Sequence, residues 1–279
     1  MRSILVTVDD TPSCVAARVL GVALARRTGA ALRGVTAIEV SDINHVEPFP
    51  VGGAEYAYAR LKHREQQAKE RRSRIAELPT AFRSAVASQG IEAPCSTIEG
   101  DIRGGLLRMI ETCDLVVTGR DAEFHLEPLD GVTPLVEHVI ARGCRPVVVT
   151  GPTAIEDGPV LVAYDGSAPA AKALQLAALL GIFGSSSAHI LTVQGEGADA
   201  RQIAARARDF LALHDVKAEI EACVSSDDPA DILMRRAVES RARLLVMGAF
   251  GHRGVREILF GSCTRRLFDS APLPLFIYH

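Results

Sequence analysis

The amino-acid sequence repeats itself once, and this repeat constrains the fold more than any other feature. Three short, largely β-branched segments of the first half return in the same order in the second half. The matching pairs are Ile4–Asp9 with Val160–Asp165, Leu115–Gly119 with Leu244–Gly248, and Arg145–Val149 with Leu273–Ile277. Because chance rarely gives three matches in one order within 279 residues, the chain is predicted to contain two copies of one structural unit.

The two copies differ in length. The first matching pair is 156 residues apart and the others are 129 and 128 residues apart, so the first copy carries about 27 extra residues in its middle. Residues 151–159 are rich in Gly and Pro, which is typical of a linker. We therefore predict a first domain over residues 1–151 and a second domain over residues 158–279.

The extra residues of the first copy lie between Val40 and Leu78 and include a charged run over residues 60–77. This run has seven basic and three acidic residues. A lengthened second helix with a solvated face accounts for it. A docking helix for an acidic partner is the alternative.

The order of apolar and amphipathic segments predicts the fold class. Strands of the second copy are expected near residues 160–164, 188–193, 217–223, 244–248 and 273–278, and helices near 168–182, 199–213, 228–240 and 262–270. Strands that alternate with helices form a parallel sheet with helices on both faces. The prediction is an α/β fold of two tandem doubly wound domains, each with a five-stranded parallel sheet. Such sheets bind ligands at the carboxyl ends of the strands, where the strand order reverses.

Charge and composition argue against several classes of protein. The chain has 31 basic and 34 acidic residues, and its net charge of −3 gives no positive field for nucleic acid. The most apolar helical segment, residues 174–183, is too short to span a bilayer. The first residues enter a strand pattern directly, without the apolar core of a signal peptide. The six Cys residues show no C-x-x-C spacing, which is typical of a reduced, cytoplasmic protein.

One glycine-rich segment, from Met247 to Ser262, is the main candidate for a ligand site. It begins at the end of a predicted strand and finishes where the last helix begins. Gly248 and Gly251 let a ligand approach the backbone N–H groups, and Gly261 and Ser262 lie at a helix N-terminus, which favours anions. The combination indicates a phosphate site, although Ser262 could simply cap the helix. The sequence contains no P-loop, and no G-x-G-x-x-G follows the first strand of either copy.

The pattern Gly248-x2-Gly251-x9-Gly261-Ser262 resembles the nucleotide-binding signature G-x2-G-x9-G-[S/T] of the universal stress protein (UspA-like) family. The resemblance covers nearly the whole chain, as two family domains in tandem. It implies the adenine nucleotide alpha hydrolase-like fold, a regulatory role in the stress response, and a bound adenine nucleotide. This nucleotide is usually ATP with a divalent ion such as Mg²⁺, and ADP or AMP are the alternatives. The residues before the second glycine depart from the family, where Ser-His is frequent, because this chain has Ala-Phe.

The resemblance also implies a set of site residues in the second copy. Asp165 and Val193, at the ends of the first and second strands, would face the adenosine, and Met247 would border the base. The glycines and the serine of the signature would surround the phosphates, and two basic residues between them either add positive charge or point into water. The full set is Ala163, Asp165, Val193, Met247, Gly248, Gly251, His252, Arg253, Gly261 and Ser262.

The first copy keeps only part of this pattern. Aligned from Gly119, the same spacing falls on Ala122, Val132 and Thr133, so the first glycine and the last hydroxyl-bearing residue remain. Three nearby carboxylates would repel a triphosphate; they are those of Glu123, Glu127 and Asp130. We therefore expect the first domain to bind no nucleotide. Since single-domain members of the family pair as homodimers, the resemblance implies that the first domain packs against the second as a pseudo-symmetric partner. Whether two chains also form a homodimer, and whether an unidentified protein partner binds, stays open.

Candidates for catalysis and metal binding are few. Asp165 has no second acid or His at a set spacing, and it could equally cap the turn into the next helix. The eight His residues form no metal-binding motif. No catalytic residue and no metal ligand are predicted, and any hydrolysis of ATP is expected to be slow. Cys263, at a helix N-terminus, could have a lowered pKa and sense redox state, or it could simply be buried.

Two other functions stay open. An ATP-using adenylating enzyme of the same superfamily would typically carry Ser-Gly-Gly after the first strand, where this chain has Asp9–Pro12 and Asp165–Ala168. A nucleotide-free interaction module would require both copies to lack a working site, and the complete signature of the second copy argues against it.

Overall fold

The computed structural model describes residues 1–38, 54–122, 124, 134–153, 155, 157–195, 199–249 and 261–279. Strands and helices alternate along both halves. The first half contains β1 (Ser3–Thr7), α1 (Pro12–Thr28), β2 (Ala31–Ile38), α2 (Ala54–Ala87), β3 (Cys95–Glu99), α3 (Ile102–Ile110), β4 (Leu115–Gly119), α4 (Leu135–Arg142) and β5 (Val147–Thr150). The second half contains β6 (Val160–Ala163), α5 (Ala168–Leu179), β7 (Ala188–Gln194), α6 (Ala200–Ala212), β8 (Ala218–Val224), α7 (Pro229–Glu239), β9 (Leu244–Gly248), α8 (Ser262–Ser270) and β10 (Leu275–Tyr278). In the described ranges no helix is both long and apolar enough to cross a bilayer.

The ten strands of the described ranges form one sheet, in the order β3-β2-β1-β4-β5-β10-β9-β6-β7-β8. The five strands of each half are parallel to one another. The strand order reverses between β1 and β4 in the first half and between β6 and β9 in the second. The predicted α/β fold with two tandem doubly wound units is therefore confirmed.

The two halves are joined by an antiparallel pairing of β5 with β10, in which Val148 lies opposite Phe276. These two residues are 128 positions apart and are equivalent residues of the two copies. A local two-fold axis therefore passes through this pair and relates one half to the other. The pairing also covers an edge strand of each half, which would otherwise expose unpaired backbone groups.

The hydrophobic core has two layers, one on each face of the sheet. Buried residues of α3, α4, α7 and α8 form the first layer, and those of α1, α2, α5 and α6 form the second. Because successive strand residues point to opposite faces, Leu161 joins the first layer and Val162 the second. Both layers contain residues of both halves, so each half packs against the other on the two faces.

The predicted elements of the second half agree with the structure to within three residues. The largest difference is at the end of α5, which was expected to reach residue 182 and ends at Leu179. Gly181 adopts a left-handed φ of 71°, and the N–H of Ile182 bonds the carbonyl of Ala177 at 2.9 Å. This is the geometry by which glycine ends a helix.

The long helix α2 has 34 residues and contains the charged run over residues 60–77. The lengthened second helix predicted from the sequence is therefore present. Its C-terminal part packs on the sheet through Phe82 and Val86, and Ile75 is also buried. Residues 39–53, the rest of the extra segment, lie outside the described residues. An acidic partner for this helix stays a prediction.

Candidate functional site

Three of the predicted site residues lie on one face of the sheet, near the carboxyl ends of neighbouring strands. Ala163 ends β6, Val193 is the second-last residue of β7, and Met247 is the second-last residue of β9. All three belong to the layer formed with α7 and α8, and Cys263 at the start of α8 packs against the same layer. Because β6 lies between β9 and β7, these residues meet beside the point where the strand order reverses.

Asp165 follows β6 and shapes the turn into α5. Its Oδ1 accepts a hydrogen bond from the backbone N–H of Ser167 at 2.9 Å. The Ser167 hydroxyl in turn accepts from the N–H of Ala170 at 3.4 Å and caps the helix. Asp165 therefore stabilises the turn into α5, which is the structural role that the sequence analysis gave as the alternative to catalysis. This hydrogen bond does not prevent the carboxylate from also contacting a ligand.

Two polar residues of β7, which the sequence interpretation missed, tie the ends of β6 and β7 together. Gln194 donates from Nε2 to the carbonyl of Asp165 at 3.2 Å. Thr192 donates from Oγ1 to the carbonyl of Tyr164 at 2.7 Å. Gln194 could have been found from the sequence, because it is a polar residue directly after the predicted strand 188–193. These bonds fix the backbone of Asp165 beside Val193.

The N-terminus of α8 has no side-chain cap among the described residues. Its N-cap is Gly261, with φ −56° and ψ 154°, and Ser262 is the first helical residue and is exposed. The expectation that Ser262 itself could cap the helix is therefore wrong. The other three helices of the second half are capped by the side chains of Ser167, Asp199 and Asp228. The first N–H groups of a helix lack an intrahelical acceptor, so α8 begins with donors that suit an anion.

Cys263 does not fit the redox-sensor hypothesis. Burial, together with the nearby carboxylates of Asp228 and Asp165, raises the pKa of its thiol to about 11. Since the thiolate is the reactive form, the helix N-terminus does not make this thiol reactive. The influence of Asp165 also shows that the end of β6 and the start of α8 are close together.

The glycines of the signature have different structural roles. A Cβ at Gly248 would lie 2.5 Å from the backbone nitrogen of Ala170, and one at Gly119 would lie 2.6 Å from that of Cys14. In both halves, glycine at this position lets the first helix of the unit approach the strand end. By contrast, a Cβ at Gly261 would meet no described atom within 4 Å. The packing of the described chain therefore does not require glycine at 261.

Several predicted residues lie outside the described part of the chain. In the second half these are Gly251, His252 and Arg253. In the first half they are Glu123, Glu127, Asp130, Val132 and Thr133. Their contributions stay predictions.

In the first half, Phe124 covers the edge that corresponds to the candidate site. Its side chain is 1% exposed, and its backbone N–H donates to Oδ2 of Asp9 at 3.1 Å. Phe124, Thr7 and Thr118 line a residual cavity of about 10 Å³, which is no larger than one water molecule needs. Thr7, Asp9 and Thr118 are the repeat equivalents of Ala163, Asp165 and Met247. The chain itself thus fills this edge of the first half.

Among the described residues, no group of three or more His, Cys, Asp or Glu side chains is placed to hold a metal ion. A magnesium ion bound with a nucleotide can take most of its ligands from phosphates and water. The described residues therefore offer no resident metal centre.

Comparison with known proteins finds one family model and one curated relative. Residues 158–279 match the model of the Universal stress protein family. The universal stress protein Slr1230 of Synechocystis sp. (strain ATCC 27184 / PCC 6803 / Kazusa) is 28% identical over 167 residues. That match covers 59% of this chain and 58% of the relative, so the chain spans little more than half of the relative's length.

Two solved structures resemble the chain over both halves. A universal stress protein from Archaeoglobus fulgidus DSM 4304 has a TM-score of 0.72 and 17% identity, and the match covers 99% of this chain and 97% of that one. A putative universal stress protein from Pseudomonas aeruginosa UCBPP-PA14 has a TM-score of 0.58 and 17% identity, covering 100% and 93%. The fold of the whole chain, including the first half, is therefore similar to the folds of these two solved proteins.

Proposed function

Residues 158–279 match the Universal stress protein family model, and from this match we propose that they form a universal stress protein domain that binds one adenine nucleotide. The proposed ligand is ATP, with ADP and AMP as alternatives. The observation that carries the proposal is that Ala163, Val193 and Met247 lie on the same face of the sheet as the start of α8, which has no side-chain cap among the described residues. An apolar surface beside the N–H groups of a helix N-terminus suits a ligand with an apolar ring and a phosphate group.

Each residue of the proposed site has a role that its chemistry supports. Val193, Met247 and Ala163 would bury the base, since they are apolar and border the core layer. The carboxylate of Asp165 would accept hydrogen bonds from ribose hydroxyls. The phosphates would lie at the start of α8, on the N–H groups and the hydroxyl of Ser262.

The rest of the signature completes the phosphate end of the proposal. The proposed phosphate contacts include the backbone at Gly248, Gly251 and Gly261, with positive charge from His252 and Arg253. Magnesium would enter with the nucleotide as the counter-ion of the phosphates. It would reduce their mutual repulsion, and the described residues supply no dedicated ligand set for it.

We further propose that the first domain, residues 1–151, binds no nucleotide. Phe124 supports this, because it lies over Thr7 and Thr118 and its N–H is bonded to Asp9. A nucleotide entering this edge would have to displace a buried phenyl ring, and burying such a ring contributes roughly 1.5–3 kcal/mol. The first domain then serves as a partner of the second rather than as a second binding unit.

The proposed role is regulatory, in the stress response typical of the family. The nucleotide would act as a state signal, because its phosphates meet the start of α8 and can change the surface around that helix. In the sequence, Asp165 has no second acid or His at a set spacing that would form a general acid–base pair, so we propose that any hydrolysis is slow. An adenylating enzyme is less well supported, because the turns after β1 and β6 lack Ser-Gly-Gly.

A charge placed at the N-cap of α8 tests this proposal. Gly261 has the backbone angles of a capping residue, close to those of Ser167 (φ −70°, ψ 158°). Gly261→Asp should therefore cap α8 and hold or raise the free energy of unfolding, by about 0–1 kcal/mol. The same carboxylate would occupy the N–H groups and repel phosphate, so binding of Mg-ATP in isothermal titration calorimetry should weaken at least about tenfold.

Gly261→Asn is the matched control, because asparagine also caps a helix but carries no charge. It should weaken binding less than Gly261→Asp does. Unchanged affinity in the Asp variant would contradict a phosphate site at α8. If the wild-type chain binds no ATP, ADP or AMP, the nucleotide-free interaction module is the better account.

A further inference from the structure

The helix at the centre of the proposed site is held by the other half of the chain. Arg120, directly after β4 in the first half, donates from Nη1 to the carbonyl of Asp269 at 2.9 Å and from Nη2 to the carbonyl of Ala271 at 2.8 Å. These carbonyls lie at the C-terminal end of α8, where the last carbonyls of a helix lack intrahelical donors. A cation at this end also interacts favourably with the helix dipole.

A second contact joins the first half to the middle of α8. Arg265 makes a bidentate ion pair with Glu137 of α4, with Nη1 to Oε1 at 2.6 Å and Nη2 to Oε2 at 2.9 Å. The Glu137 side chain is 7% exposed. A bidentate pair restricts orientation as well as distance. The first half therefore holds α8 both at its C-terminal end and along its side.

The second half holds the same helix through a different arginine. Arg266 lies next to Arg265 and pairs with Asp228, the N-cap of α7, at 2.8 Å and with Asp231 of α7 at 2.6 Å. α8 thus lies between the two halves, with one arginine directed to each. Its nine residues make a rod about 13 Å long, so a shift at its C-terminal end also moves its N-terminus.

We infer that the first half positions α8 for phosphate binding through Arg120, so that a domain without a site of its own sets the affinity of the site in the other domain. This inference rests on the proposed nucleotide site in the second half. Arg120 is then a positioning residue, acting on the phosphates through α8. By linkage, a nucleotide at the N-terminus of α8 also strengthens the contact of α8 with the first half.

Arg27 provides a matched control for Arg120. It also joins the two halves by an arginine-to-carbonyl bond, donating from Nη2 to the carbonyl of Ile182 at 2.9 Å. Its partner follows α5, on the opposite face of the sheet from α8. Arg120→Met removes two such bonds and Arg27→Met removes one, and both substitutions keep the apolar stem of the side chain.

The test compares two ligands, ATP and adenosine, in the full-length chain. Arg120→Met should weaken Mg-ATP binding at least about fivefold, within the usual range of coupling between sites, and should change adenosine binding little, since adenosine has no phosphate. Arg27→Met should change neither. Hydrogen exchange of the α8 amides without ligand should be faster in Arg120→Met than in Arg27→Met, because the helix has lost its anchor.

A general loss of stability would weaken ATP and adenosine binding together, and that result would overturn the inference. Equal effects of the two variants on ATP binding, or equal exchange of α8, would also overturn it. If the wild-type chain binds no nucleotide, the proposed site fails and the inference fails with it. If the wild-type chain binds ATP and Arg120→Met binds it equally well, the inference alone fails.

Discussion

Glu137 and Arg265 occupy equivalent positions in the two halves and form an ion pair with each other. They are 128 residues apart, as are the helix-ending residues Gly143 and Ala271, whose N–H groups bond carbonyls four residues earlier. In a symmetric homodimer, a residue at such a position would face its own copy. Here a carboxylate faces a guanidinium, so the interface is complementary only between the first half and the second.

Reversing one charge of this pair should therefore destabilise the chain. Glu137→Arg would place two guanidinium groups together at a largely buried position, and we expect it to lower the free energy of unfolding by about 1–3 kcal/mol, because Arg265 is only partly buried. Adding Arg265→Glu should restore much of this loss. Urea unfolding of the two single variants and the double variant measures the coupling. Simple addition of the two single effects would contradict a specific pair.

The glycines at the ends of β4 and β9 should be sensitive to a single methyl group. Gly119→Ala and Gly248→Ala each bring a Cβ within 2.6 Å of a backbone nitrogen, and we expect each to lower the free energy of unfolding by about 1–3 kcal/mol. Gly261→Ala, where the Cβ has room, should change it by less than about 0.5 kcal/mol. Thermal unfolding would check this order. A neutral Gly248→Ala would show that α5 can move away from β9 at little cost.

Lowering the pH should reduce the free energy of unfolding, partly because His279 becomes protonated. Burial lowers the pKa of this imidazole, and its hydrogen bond to the backbone of Ile140 only partly opposes the effect. Because the pKa is lower in the folded state, the unfolded chain binds the proton at higher pH, and stability is lost as the pH falls below about 6.5, the ordinary value for His. The wild-type chain should therefore lose more stability between pH 7.5 and 5.5 than His279→Gln does. Parallel pH profiles in urea unfolding would speak against this assignment.

Thiol reactivity should follow burial. The pKa is raised to about 11, mainly by burial, for the thiols of Cys14, Cys95, Cys113 and Cys263. Cys144 is exposed. Brief treatment of the native protein with iodoacetamide, followed by peptide mass spectrometry, should find Cys144 alkylated first and Cys263 slowly. Rapid alkylation of Cys263 would contradict this prediction and would support the redox-sensor hypothesis.

The local pattern of apolar and polar residues was sufficient to predict most of the fold. The strands and helices of the second half follow from alternation of apolar and polar residues, and their ends follow from local signals such as Ser167 before α5. The pairing of Val148 with Phe276 has no such signal, because nothing in a strand's own sequence specifies which distant edge it will meet. The joining of the strands of the two halves into one sheet therefore required the structure.

The sequence predicts a set of site residues, which stays a prediction, and it does not indicate the separate structural roles of the glycines among them. Gly248 and Gly261 look alike in the signature, and the approach of Ala170 to Gly248 depends on how α5 packs on β9. The sequence also indicated a degenerate first copy from Ala122 and nearby carboxylates. It did not indicate Phe124, because the bond from its N–H to Asp9 joins residues 115 positions apart.

The central claim is one nucleotide site per chain, in the second half, and equilibrium dialysis with radiolabelled ATP tests it most directly. Asp9→Asn and Asp165→Asn make matched changes at equivalent positions of the two halves. We predict about one nucleotide per chain for the wild-type protein and for Asp9→Asn, and an affinity at least about tenfold lower for Asp165→Asn, since a hydrogen bond to a charged group is worth about 1.5–3 kcal/mol. Two nucleotides per chain, none, or loss of binding in Asp9→Asn instead of Asp165→Asn would contradict the account.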